Sequence, residues 1–292
     1  MKYEAYIKSA TAIVKLIVEK DIFSAIVNDE FFYSYIPSVS LLNDDEVDNN
    51  VDAVITIETN NTNKINIKYP HIYFSCNQIN TKDIISLIEY VFERARQGNG
   101  IICIHGAGAI IDNKLIACWG PATGMGKTTL ALKLSEKENY FYSDEKLLID
   151  LRNSKAVGRI KNQYISNQYW KNKLGEKQYF EPANLSEDIP YEIGLFVQAI
   201  ICDQVDYTID IWKPEKFLWH LYEESSRKIR GTSRIFFDNT YPVMSLDTDK
   251  IAIQRLKLIK DFTKNITTVY FKGQAEKAVN IVAKMLANKD HL

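Results

Sequence analysis

Over residues 1 to about 80 the apolar positions tend to recur at every second place, as in strands with one buried face. Residues 51–58 (VDAVITIE) alternate, Asn60-Asn61-Thr62-Asn63 supplies turn chemistry, 64–69 (KINIKY) alternates again, and 72–76 (IYFSC) follows. That order predicts an antiparallel meander. The period then lengthens. Across 81–97 the residues Ile84, Ile85, Ile88, Val91 and Phe92 share one helix face, with Thr81 as N-cap and Gly98-Asn99-Gly100 ending the helix. A boundary is expected there, with an N-terminal, mainly-β α+β domain over 1–98 and a second domain over 99–292.

The second part has a different texture. Residues 101–104 (IICI) and 115–119 (LIACW) are continuous apolar runs, as in strands buried on both faces. A Gly-rich loop follows, then a helix from Lys127 to about Glu136 and a short strand at 140–142. Segments 147–151 and 156–160 flank an Arg-Asn-Ser-Lys turn and read as a hairpin. Strands are expected at 193–202, 207–212 and 267–271, and helices at 214–229, 248–263 and 275–287, with Pro214 at a favourable first position. The class is therefore α/β. The loop 231–245, with Arg234, Phe236, Phe237 and Tyr241, is a candidate lid or acceptor-gripping segment, preceded by Arg227 and Arg230.

Composition narrows the functional classes. The 292 residues are 46% hydrophobic and 25% charged, with a formal net charge of −1. Such a chain can bury a core and has no basic excess for broad nucleic-acid binding. No apolar stretch approaches the roughly 20 residues of a membrane span. The N-terminus lacks a signal-peptide layout, so a cytoplasmic protein with no membrane partner is expected. Cys76, Cys103, Cys118 and Cys202 form no C-x-x-C pair and read as free thiols. Self-association into a homo-oligomer stays open.

The chemistry concentrates at residues 120–129 (GPATGMGKTT), between a strand and a helix. Phosphate oxygens need donors that are close and already oriented. Glycines let the backbone curl so that N–H groups converge, and the helix N-terminus adds positive potential. Gly120, Thr123, Gly124, Met125, Gly126, Lys127, Thr128 and Thr129 are the candidate nucleotide-binding residues. Lys127 would meet the outer phosphates of ATP, and the Thr128 hydroxyl would face Mg²⁺. Counting back from Lys127, Pro121 stands where such loops usually begin with Gly. Ser143-Asp144-Glu145 follows the next apolar strand, and carboxylates there suit metal binding or proton abstraction. His105-Gly106 closes the strand 101–104, where the imidazole could face the terminal phosphate.

This order of His105-Gly106, then the loop from Trp119 to Leu130, then Ser143-Asp144-Glu145 resembles the HPr kinase/phosphorylase superfamily, most densely over 100–160. The strand–helix ending at 267–286 also resembles shorter HPr-kinase-like proteins. The resemblance implies a P-loop kinase core of the kind shared with phosphoenolpyruvate carboxykinase. It implies ATP and Mg²⁺ as cofactors and transfer of a phosphoryl group to a serine hydroxyl of a protein, peptide or small serine-like acceptor. Lys127 and Thr128 would bind phosphate and metal. Asp144 and Glu145 would divide metal binding and general base between them, and His105 would lie near the transferred phosphate. Glu145 replaces the second aspartate of the bifunctional members, and their arginine-rich C-terminal loop has no counterpart, so reverse phosphorolysis is not expected. The rival expectation is a non-catalytic nucleotide-sensing module that regulates a partner.

Overall fold

The computed structural model of the chain describes residues 2–47, 50–61, 64–136, 139–160, 165–167, 178–180, 185–187, 189–231 and 243–289. The protein is mixed α/β and divides into two compact units, Met1–Ile102 with Ser225–Arg255, and Cys103–Glu224 with Leu256–Leu292. Residues 225–255, expected in the second domain, thus cluster with the first.

The first unit runs β1 (Lys2–Ser9), β2 (Ala12–Glu19), α1 (Lys20–Asn28), α2 (Glu30–Tyr35), β3 (Val39–Leu42), β4 (Ala53–Thr59), β5 (Lys64–Lys68), β6 (His71–Cys76) and α3 (Thr81–Gly98). Its sheet has the order β3-β1-β2-β4-β6-β5. This corrects the meander: β6, not β5, lies beside β4, and runs parallel to it from Val54↔His71 to Thr59↔Cys76. Burial explains the exchange. β6 sinks Ile72, Phe74 and Cys76 into the core and takes the inner place. β5 exposes Lys64 and Lys68, and lysines on an edge strand discourage further pairing. The two short helices α1 and α2 were not foreseen.

Ile84, Ile85, Ile88, Val91 and Phe92 of α3 are buried against Val14, Leu16, Ile55 and Ile57. Its cap is Asn80 rather than Thr81. The Asn80 side chain accepts from Lys82 N at 3.0 Å and Asp83 N at 3.4 Å, while Thr81 Oγ1 donates to Asp29 Oδ2 at 2.6 Å. The polar side of α3 is spent on residues 225–255. Tyr90 Oη donates to Met244 O at 2.8 Å, Arg94 Nε to Leu246 O at 3.1 Å and Gln97 Nε2 to Ser225 O at 2.8 Å. Buried carbonyls need such donors, so a segment remote in sequence is anchored to the first unit. Buried Arg96 pairs with Glu89 at 3.0 Å and Glu93 at 3.5 Å.

The second unit contains β7 (Ile101–Ile111), β8 (Lys114–Trp119), α4 (Lys127–Leu134), β9 (Tyr140–Ser143), β10 (Lys146–Asp150), β11 (Lys155–Arg159), the short pair β12 (Ile165–Asn167) and β13 (Gln178–Phe180), β14 (Tyr191–Ile201) and β15 (Tyr207–Ile211). It continues through α5 (Pro214–Arg227), α6 (Asp249–Asn265), β16 (Thr268–Gly273) and α7 (Ala275–Lys289). The chain passes between the units within β7, α5 and α6. The large sheet has the order β11-β10-β7-β8-β14-β16-β15, with β9 also paired to β7.

Strands β8, β14 and β16 are mutually parallel. Their apolar runs are what parallel strands covered on both faces require. On one face Leu130, Ala131 and Leu134 of α4 and Ala278, Val282 and Leu286 of α7 pack over Ile116, Cys118, Val197 and Phe271. On the other face Trp119, Phe196, Phe217 and Phe262 form a ring cluster with centroids 4.9 to 6.5 Å apart. The carboxyl ends of β8 and β14 therefore emerge together, the usual ligand position of such sheets. No helix among the described residues is long and apolar enough to cross a membrane.

Candidate active site

The loop after β8 is shaped by its glycines. Gly126 caps α4 with φ 92°, a left-handed value suited to glycine, and offers no side chain to the helix. A Cβ there would lie 2.5 Å from Ile201 Cβ. The close approach is fixed from the other side, where Ile201 N–H donates to Met125 O at 2.8 Å. The loop is thus tied to the end of β14. Gly126 has no side chain with which to cap the amides of the first α4 turn. Pro121, Ala122, Thr123 and Gly124 form its exposed rim, Gly124 with φ 83°. The Met125 thioether lies against Gly120, and Thr129 is half-buried in the first turn of α4.

Lys127 is buried at 7% exposure, and its Nζ donates to Ala122 O at 2.8 Å. Burial lowers its pKa, and the carboxylates of Glu145, Asp144 and Glu224 oppose that shift. Thr128 Oγ1 donates to Asp144 Oδ1 at 2.8 Å, joining the first turn of α4 to the end of β9. Desolvation pushes Asp144 from its ordinary 3.8 up to about 6, reinforced by Glu145 and opposed by the Thr128 hydrogen bond. The residue keeps some solvent-exposed surface.

Glu145 forms the turn between β9 and β10. Lys146 N–H donates to Asp144 O at 2.7 Å across it, a γ-turn with Glu145 at φ 64°. A non-glycine residue there is strained, and such strain gathers at functional sites. Gly106 N–H also holds the turn, donating to Glu145 O at 3.3 Å.

His105 meets the same residue twice, with Nδ1 3.1 Å from Glu145 O and 3.3 Å from Glu145 Oε2. A carbonyl oxygen only accepts, so in the neutral ring Nδ1 carries the proton. The placement corrects one expectation. β7 runs on through His105 and Gly106 to Ile111, so the pair lies inside a strand and not at its end. Gly106 reads as a break in the sequence, but here it admits close pairing: a Cβ would stand 2.8 Å from Cys118 O.

The fold therefore gathers Lys127, Thr128, Asp144, Glu145 and His105. It adds residues that sequence reading did not single out. Glu224 of α5 acts on Lys127 through space. Buried Gln198 of β14, paired in register with Trp119, has Cγ 3.9 Å from where a Cβ on Gly120 would be. Neither has a local sequence signal; a polar residue within the apolar run of β14 was the one hint. Of the candidate lid, residues 232–242, including Arg234, Phe236, Phe237 and Tyr241, lie outside the described residues. No family model matches the chain, and no curated protein matches it.

Proposed function

We propose that this site binds ATP with Mg²⁺ and transfers the γ-phosphoryl group to a serine hydroxyl of a protein, peptide or small serine-like acceptor. The reading includes the P-loop kinase core of the HPr kinase/phosphoenolpyruvate carboxykinase type. One observation carries it: the Thr128–Asp144 hydrogen bond, which joins the residue after the loop lysine to a carboxylate on a separate strand. Phosphate loops use this hydroxyl and carboxylate around the metal. The hard-oxygen donors Thr128 and Asp144 suit Mg²⁺, the raised pKa of Asp144 marks a carboxylate that a cation would relieve, and Glu145 is left for the acceptor proton. When bound, the ion supplies positive charge beside the outer phosphates.

The chain's own groups do the rest. The first-turn amides of α4 and the Lys127 ammonium hold the phosphates and meet the charge that develops on them. The acceptor hydroxyl forms an O–P bond as the bond to the bridging oxygen of ADP breaks and ADP leaves with the electron pair. The hydroxyl proton passes to the Glu145–His105 pair. The strained turn at Glu145 supports this division, with Asp144 turned to Thr128 and Glu145 turned to His105.

The test is γ-labelled ATP with Mg²⁺ and serine-bearing proteins or peptides, followed by mapping of the label. Transfer to serine that disappears in Thr128→Ala supports the reading. Binding of Mg-ATP without transfer to any acceptor would favour a regulatory nucleotide sensor, and absence of binding would remove the site assignment altogether.

A further inference from the structure

β15 is the outermost strand of the large sheet, and its second edge has no strand partner among the described residues. Its hydrogen-bonding parity follows from the ladder. Trp212 N–H donates to Thr268 O at 2.9 Å, in continuation of the register that pairs Tyr207 with Gly273 and Ile211 with Val269. Thr208, Asp210 and Trp212 therefore spend their backbone groups on β16. Alternation turns the N–H and C=O groups of Tyr207, Ile209 and Ile211 outward. The side chains of these three stand on the α7 face, where Lys277 lies over the Tyr207 ring. They are 49%, 39% and 63% exposed. Edge strands are ordinarily guarded by Pro, Lys or a bulge, and 207–211 contains none of these.

We propose that β15 pairs antiparallel with β15 of a second copy of this chain, about a two-fold axis at Ile209, so that two large sheets become one. The strand is self-complementary in that arrangement. Ile209 exchanges both backbone bonds with Ile209 of the second copy. Tyr207 faces Ile211, continuing the apolar strip across the axis. Thr208 faces Asp210, so the hydroxyl can donate to the carboxylate and no carboxylate meets its own copy. Beyond the strand, Asp203 and Asp206 lie at one end and Lys213, Glu215 and Lys216 at the other, with Asp206 paired to Lys277 and Lys216 to Asp210 within one copy. Antiparallel pairing sets Asp206 of each copy beside Trp212 and Lys213 of its mate, where its carboxylate meets an ammonium that has no ion pair among the described residues of its own copy. An arbitrary extended peptide would satisfy the backbone but not this charge order.

The experiment is sedimentation equilibrium of the full chain across a concentration series. Ile209→Pro removes an outward donor without touching the β16 ladder, and Ile209→Lys places a charge on the axis. Wild type is expected to be a concentration-dependent dimer. Both variants should dissociate at least about tenfold more readily, with far-UV circular dichroism confirming that they remain folded. Thr208→Lys, which sets an ammonium opposite Asp210 in both halves, should tighten the dimer about threefold or more at low salt. Three results would overturn the proposal: a monomer at every concentration up to about 100 µM, a dimer that neither Ile209 variant weakens, or a monomer whose β15 edge instead takes up an extended peptide.

Discussion

Asp144→Asn should make the nucleotide-free protein more stable while removing its Mg²⁺-dependent chemistry. The carboxylate is raised from 3.8 to about 6, chiefly by desolvation. At about 1.4 kcal/mol per pH unit, the ionised side chain costs the fold at most about 3 kcal/mol. Solvent contact at the half-buried residue screens part of that. Asparagine keeps an acceptor for Thr128 Oγ1 but brings amide donors that need partners, a loss of about 1 kcal/mol. A net gain of about 1–2 kcal/mol follows, or a few degrees in melting temperature.

The sign with pH is the reverse of that for a salt-bridged carboxylate. In the unfolded chain Asp144 ionises near pH 4, and in the folded protein near pH 6. Below pH 4 both states are protonated, and this source gives no difference between variant and wild type. Between 4 and 6 the wild type loses stability relative to the variant, and above 6 the gap is constant. Thermal melts of both proteins from pH 4 to 8 without nucleotide measure this directly. A second set with Mg²⁺ and ATP should stabilise wild type and leave the variant nearly unmoved. The reasoning is refuted if Asp144→Asn melts at or below wild type at pH 7.5, or if the gap does not grow between pH 4 and 6.

Lys127→Ala should lower the transfer rate by about 10²-fold or more while weakening ATP binding less, since the lysine meets charge that grows in the transition state; single-turnover rates and equilibrium binding separate the two. His105→Gln should cost about 10²–10⁴-fold in transfer and weaken Mg-ATP binding far less, because the imidazole works with Glu145 on the acceptor proton. Gly126→Ala should abolish nucleotide binding, since its Cβ would stand 2.5 Å from Ile201 Cβ at φ 92°; calorimetric titration with ATP checks it. Glu145→Gly should relieve the left-handed backbone at φ 64° and raise stability by up to about 1 kcal/mol while transfer is lost, measured by denaturant melts and labelled-ATP assays.

What was legible in the sequence was whatever the chain writes in adjacent residues. The strand, glycine loop and lysine of β8 and α4 are contiguous, and their apolar runs and left-handed glycines have local causes. The hairpin of β10 and β11 and the helices α5 to α7 were equally local. Where meaning depended on pairing, the reading failed or stayed silent. β4, β5 and β6 look like a meander because each alternates, yet their order is set by which strand has more apolar surface to bury. Gly106 looks like a stop, although it is an allowance for the neighbouring strand β8.

The same distinction runs through the site itself. Thr128 and Asp144 were each named from local pattern, but their 2.8 Å hydrogen bond exists because β9 pairs with β7, bringing Ser143 opposite Gly108. That pairing also delivers Glu145 to His105 two residues further along the same edge of β7. Without β7 reading through as one strand to Ile111, neither contact would form. The glycines at 106 and 108 are therefore as much part of the site as the charged residues. An alanine at either would push Cβ to 2.8 or 2.7 Å from atoms of β8, and both the loop and the acidic turn hang from that β7–β8 pairing.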